Sequence, residues 1–434
     1  MRRLTALLTL ALPLLAGCST RAHLNPFDPA NPATGGQPAG FQALAGDQSV
    51  RLRWQTVSAP GLLGYQVFRL APGDTAFRPL TVVLPPTTSS QADFGLLNGA
   101  EHRYRLYFVI ENGLADRPAE DVATPGPLRP WVADPGAGRL VRLSADGRHV
   151  AESFPPAGGA SPVALDVNPA DGRVWVVGPG GDVLVYEPGL GRSTVIGQGL
   201  GTLTCVVVDR PDSSAWVADV TNGRLVHLRP SGQSADPPVL SGLEYPGSLA
   251  LDRSNRSLWV VEQDGDRVRR YTAGGALAAT IVVSKPSRVA VDPVTHEAWV
   301  SSLSLGRIVR LSPGGSVLDT ITACAGPIGI AVDATRRRIW VADAAADRVV
   351  ALSPDGTVQF VITGQAEARE IALDEATGEA WVTLAAAGAV ARLSPAGVEI
   401  LRTGGLGGPW GIALDDLSAR TPPLPRNEAG AALR

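Results

Sequence analysis

From about residue 128 the chain alternates apolar and polar positions in short runs broken by turns. Between residues 288 and 321, "RVAVD", "EAWVSS", "GRIVRLS" and "SVLDTI" each read as one strand, with a "PGG" turn before the last. Forty-one residues on, the same grammar returns as "IGIAVDATRRRIWVADAAADRVVALSPDG". No helical periodicity of useful length occurs after residue 22.

The landmark of the repeat is a tryptophan, at 131, 175, 216, 259, 299, 340 and 381. An aspartate stands seven residues before most of them, at Asp209, Asp252, Asp292, Asp333 and Asp374. Asp166 precedes Trp175 by nine, which reads as two extra residues in the turn. Four antiparallel strands in about 41 residues is the pattern of one β-propeller blade. The first unit, "RPWVADPGAGRLVRLSADGRHVAESF", lacks a strand before its tryptophan, and the last stretch, "GPWGIALDD", is such a strand with nothing after it. Joined, they complete a seventh blade and leave no open sheet edge. The expected fold class is therefore all-β, with a seven-bladed β-propeller over 128–416 whose C-terminal strand closes the first blade.

"AVDPVTHEAWVSS" and "AVDATRRRIWVAD" resemble NHL-type repeats, and the seven units match virginiamycin-B-lyase-like propellers better than the usual six of the NHL family. Upstream, "GFQALAGDQSVRLRWQ", "LLGYQVFRL" and "FGLLNGAEHRYRLYFVIENG" resemble a fibronectin type III-like sandwich over 38–124. That resemblance implies that Trp54 is the core tryptophan and that Tyr65, Leu96, Gly99, Tyr104 and Leu106 hold their family positions. His102 stands where the family has its corner tyrosine.

The N-terminus reads as an export signal over 1–17, with Arg2, Arg3 and an apolar run from Leu4 to Leu15. Leu15-Ala16-Gly17-Cys18 resembles a bacterial lipobox, which implies cleavage before Cys18 and lipid attachment there, with the membrane as a partner. Ser19 resembles the outer-membrane sorting pattern, so an outer-membrane lipoprotein is expected if the organism has that membrane. Residues 18–37, rich in Pro and Gly, read as an extended lipidated tether, and 417–434 as a disordered tail.

Composition adds exclusions. Lys plus Arg is 38 against 41 Asp plus Glu, a net charge of -3, which gives no electrostatic case for nucleic acid. Only Cys205 and Cys324 remain besides Cys18; their places in the repeat differ, so no disulfide is expected. The five histidines are scattered, and none forms an HxH or HExxH pair. The lyase-like propellers use an acid, a metal and a histidine on the top face, and no histidine here falls on those loops. No cofactor, metal site or catalytic set is expected.

The tryptophans read as packing between blades, and the aspartates as turn caps. Binding is expected on the face formed by the loops between second and third strands and between blades. The candidates there are Asp134, Asp219, Tyr245, Glu262, Arg288, Asp343, Arg369, Glu370 and Trp410. Gly178, Ser302, Leu384 and Lys285 share those loop positions. Asp219, Glu262 and Asp343 raise a carboxylate-only calcium site without a supporting loop motif. The expected function is a lipid-anchored cell-envelope binding or scaffolding protein whose loop face holds an envelope protein or glycan. The alternative is a periplasmic propeller lyase or hydrolase acting on a small molecule or sugar.

Overall fold

A computed structural model describes residues 24–155, 161–188 and 191–419. The signal over 1–17, Cys18, the start of the tether and the chain from 420 on lie outside the described residues. No helix among the described residues is long and apolar enough to cross a membrane.

The chain divides into two compact units. One comprises the chain up to Gln42 with Arg53–Gln91 and His102–Val122. Its sheet orders Arg78–Pro79, Leu62–Leu70, His102–Ile110 and Gly113–Leu114, with Ala119–Ala123 paired to His102–Ile110. Alternate residues Tyr65, Val67, Tyr104, Leu106 and Phe108 are fully buried, and Tyr65 lies 5.7 Å from Phe108 and 5.6 Å from Trp54. The segment expected as an extended tether is folded over its described part. Phe27 meets Phe108 edge-on at 5.1 Å, and the buried Asn31 carboxamide accepts the N–H groups of Ala33 and Thr34. An aromatic anchor and an Asx turn outweigh the extended preference of the prolines.

The other unit comprises Ala43–Leu52, Ala92–Glu101 and the chain from Ala123 on. Parts of the span 38–124 thus belong to each unit. A three-stranded sheet, ordered Gln42–Gly46, Ser49–Arg53 and Ser90–Phe94, lies beside the chain entering the repeats. Gly126 N–H donates to the Gly46 carbonyl at 3.0 Å and Ala145 N–H to the Ala45 carbonyl at 2.9 Å.

Seven four-stranded antiparallel sheets follow among the described residues. Their first strands neighbour one another in a closed circuit. Ala164–Val167 lies beside Leu203–Asp209, then come Pro246–Leu251, Arg288–Val291, Pro327–Asp333, Ala368–Leu373 and Ile412–Asp416, which returns to Ala164–Val167. The fold is a β-propeller. Ile412–Asp416 pairs antiparallel with Leu128–Asp134, Ile412 opposite Val132 and Ala413 opposite Trp131, so the last strand completes the first sheet. Leu417–Ala419 then form a 3-10 turn, its first N–H bonded to the Pro127 carbonyl.

The repeated tryptophans are 0–4% exposed. Each packs on the following sheet, as Trp340 does among Ala368, Ile371 and Leu384, and Trp381 closes the ring against Val132 and Leu143. The residue paired to the tryptophan on the third strand is often arginine. Arg270, Arg310 and Arg392 lie 5.7, 5.5 and 5.4 Å from the rings of Trp259, Trp299 and Trp381. Each donates to a carbonyl of the next sheet, Pro313, Pro354 and Asp146 respectively. Much of the arginine therefore joins blades. His227 takes that position in its sheet and stacks on Trp216 at 4.1 Å.

One register differs from the sequence expectation. Trp175 pairs with Asp166, whereas the other tryptophans pair with Val207, Ala250, Ala290, Ala331, Ala372 and Ala413. In this sheet Asn168 stands in the place of the repeat acid, seven residues before Trp175, with no extra residues in the turn. Asn168 closes that turn as Asp252 does, its N–H on the carbonyl of Arg173 as that of Asp252 is on Ser257. Asp166 instead occupies a position that is small and apolar everywhere else.

Candidate ligand channel

The first strands surround a cavity of about 400 Å³. Four residues before the repeat acid or Asn168, the strands carry Ala164, Cys205, Ser248, Arg288, Gly329, Glu370 and Gly411. All of these except Gly329 line the cavity, together with Asp166, Thr204, Gln263, Ser287, Arg369 and Trp410. Small residues on most strands keep the bore open, and the charged ones come from three strands.

Arg288 and Glu370 stand two strands apart. Gly329, at the same position between them, carries no side chain, and Arg288 Nε lies 3.7 Å from Glu370 Oε2. Arg288 Nη1 also donates to the Gly247 carbonyl at 3.1 Å. Arg369 lies 4.5 Å over the Trp410 ring and pairs with Glu367. Trp410 remains 40% exposed.

Burial pushes the Glu370 carboxyl above the usual range against the pull of Arg288. Burial likewise raises Asp166, opposed by the Val208 N–H and the charges of Arg253 and Arg210. Burial raises the Cys205 thiol to about 11, so it stays a protonated thiol near neutral pH and is a poor nucleophile. Cys324 is pushed up to about 12 by burial first and Asp343 second. Both thiols are free.

The candidate residues separate into two groups. Arg288, Arg369, Glu370 and Trp410 come together on the cavity wall. Asp134, Asp219, Glu262 and Asp343 do not line a mouth; each is fully buried. Each accepts from an arginine five residues on: Arg139 and Arg224 at 2.9 Å, Arg267 at 2.9 Å and Arg348 at 2.7 Å. All four also bind backbone N–H groups of the loop entering from the neighbouring strand, Gly407 for Asp134, Gly201 for Asp219, Glu244 for Glu262, and Ala325 and Gly326 for Asp343. A buried carboxylate is stable here because it is paired with arginine and hydrogen-bonded. Burial alone would raise Asp219, but hydrogen bonds from Asn222 and Arg224 bring it below the usual range. The suggested calcium site of Asp219, Glu262 and Asp343 is not assembled, since each serves its own loop. No group of three or more His, Cys, Asp or Glu among the described residues is arranged to hold a metal ion.

Tyr245 is 40% exposed on its loop and does not line the cavity; its backbone, at φ 54°, accepts the Gln263 N–H. Ser302 and Leu384 are buried, and the Lys285 N–H caps Asp266 at 2.8 Å. Ser214 Oγ lies 2.7 Å from His227 Nε2, but both are buried away from the channel, and His227 Nδ1 faces the Pro237 carbonyl. That geometry holds a turn and offers no nucleophile to a substrate. Asp166, Thr204, Cys205, Ser248, Gln263 and Ser287 line the channel and were not among the candidates read from the sequence. The seven-residue spacing from Asn168 to Trp175 would have exposed Asp166 as an acid on the wall.

No family model matches this chain, and no curated protein matches it. Solved structures do share its fold. One is a functionally unknown protein from Desulfotomaculum acetoxidans, 16% identical, covering 66% of this chain and 98% of its own, with a TM-score of 0.55. A chain of the mitotic checkpoint complex is 12% identical over 56% of this chain and 76% of its own, at 0.50. A chain of a nidogen/laminin complex is 15% identical over 67% and 99%, at 0.46.

Proposed function

We propose that this chain is a lipid-anchored cell-envelope binding and scaffolding protein. Cys18 carries the lipid, in the outer membrane where there is one. A fibronectin type III-like domain over 38–124 spaces a seven-bladed propeller from the membrane. The channel mouth holds an envelope protein or a glycan.

One observation supports this reading above others. A half-exposed tryptophan, Trp410, stands beside Arg369, Arg288 and Glu370 on the wall of a cavity of about 400 Å³. Aromatic and arginine side chains at a concave rim are the residues that dominate binding sites, because they offer large contact area and directed donors. The acids on the neighbouring loops are consumed by the fold, which leaves the mouth to these four residues.

Affinity capture with the full chain from detergent-solubilised envelopes tests it. A partner retained by the parent should be lost by the Trp410→Ala, Arg369→Ala double variant. Retention of the same partner by the double variant would refute the mouth as the binding site.

A further inference from the structure

The channel wall holds more donor capacity than the protein uses. The Nε–H groups of Arg288 and Arg369 are both buried, and neither makes a hydrogen bond among the described residues. Glu370 does not meet the need of Arg288, because 3.7 Å is too long for a hydrogen bond. Those two Nε–H groups are enclosed by protein, so the donors that can meet an acceptor in the cavity are the terminal Nη groups of Arg288 and Arg369, whose side chains are 28% and 26% exposed on its wall. Planar guanidinium groups take carboxylates in paired hydrogen bonds better than any neutral acceptor.

The rest of the wall selects what carries that carboxylate. Thr204, Ser287 and Gln263 present hydroxyl and amide groups, and Trp410 presents part of an indole face. Hydroxyls on several sides with one aromatic platform suit a hydroxylated ring whose C–H face lies on the indole. The volume, about 400 Å³, falls in the range of about 300–1,000 Å³ usual for small-ligand sites.

We propose that the channel binds an acidic sugar, its carboxylate held by Arg288 and Arg369, its ring against Trp410 and its hydroxyls on Thr204, Ser287 and Gln263. The inference rests on the reading of the mouth as a binding site and narrows it to one ligand chemistry. Glu370 acts as a gate on Arg288: as a carboxylate it repels the ligand, and as the neutral acid that burial favours it can donate to it.

Calorimetric titration of the full chain with glucuronic acid and N-acetylmuramic acid tests this, with glucose, N-acetylglucosamine and N-acetylalanine as controls. The acidic sugars should bind, and the uncharged sugars and the ring-free carboxylate should not. Arg288→Met should weaken binding by at least about tenfold, the scale of one lost hydrogen bond to a charged group. Glu370→Gln should strengthen it, and a gain of affinity cannot arise from misfolding. Absence of binding by both acids, equal binding of the uncharged sugars or of N-acetylalanine, or weaker binding in Glu370→Gln would each overturn the proposal. If envelope capture depends on Trp410 while neither acid binds, the acidic-sugar inference falls and the binding-mouth reading stands.

Discussion

At the scale of single residues, the chain distinguishes acids that hold the fold from acids that face the channel. Three residues past the tryptophan stand Asp134, Asp219, Glu262 and Asp343, and eight past it stand Arg139, Arg224, Arg267 and Arg348. Where the acid is replaced by Gly178 or Leu384, the arginine is replaced by Val183 or Ala389, and only the unit with Ser302 keeps an arginine, Arg307, without the acid. That co-occurrence was legible in the sequence and marks the acids as paired. Asp343→Ala would remove the acceptor of Ala325 and Gly326 N–H groups and of Arg348. It should cost about 3 kcal/mol by urea unfolding and leave partner capture by the folded protein unchanged. The channel acid Glu370 makes stability depend on pH through its burial. Its folded pKa is raised by burial, so its contribution to stability is full below the unfolded value of about 4.3 and is lost as pH rises through the folded value. Glu370→Gln should therefore be more stable than the parent near neutral pH, with the difference vanishing below about pH 4. Asp219, whose folded pKa is lowered, contributes stability above about pH 3.9 that is lost as pH falls through the folded value. Thermal melts of Asp219→Asn across pH should show a shallower acid limb than the parent.

At the scale of elements, strand identity was legible because period-two alternation and turn residues agree in almost every unit. The register of Ala164–Val167 was misread because its repeat position holds Asn168 while an aspartate happens to lie two residues earlier. The fold of residues 25–37 was not legible, because Phe27 depends on Phe108, a partner far along the chain that no local pattern announces. The closing strand was legible from the incomplete units at the two ends. Deleting the chain from residue 411 on removes Ile412–Asp416 and exposes the ladder edge of Leu128–Asp134. The truncated chain should melt well below the parent and self-associate in size-exclusion chromatography. An unchanged melting temperature would show that closure contributes nothing.

At the scale of the propeller as a whole, repetition builds a wall and departure from repetition builds a site. Tryptophans and their arginines recur because every interface between sheets needs the same packing. The channel positions do not recur: Cys205, Arg288 and Glu370 stand in the register where other strands carry alanine, glycine or serine. Residue types could nominate Arg288, Arg369, Glu370 and Trp410, but only the ring of first strands brings them together. The most direct measurement is site-specific photo-crosslinking in living cells, with a diazirine amino acid replacing Leu303, which lines the cavity and is 40% exposed, in one full chain and Val282 in another. Val282 is 78% exposed on an outer strand, away from the channel wall. A partner adduct from position 303 and none from 282 is the predicted result. An adduct from 282 alone, or from neither position, would contradict a binding site at the channel mouth.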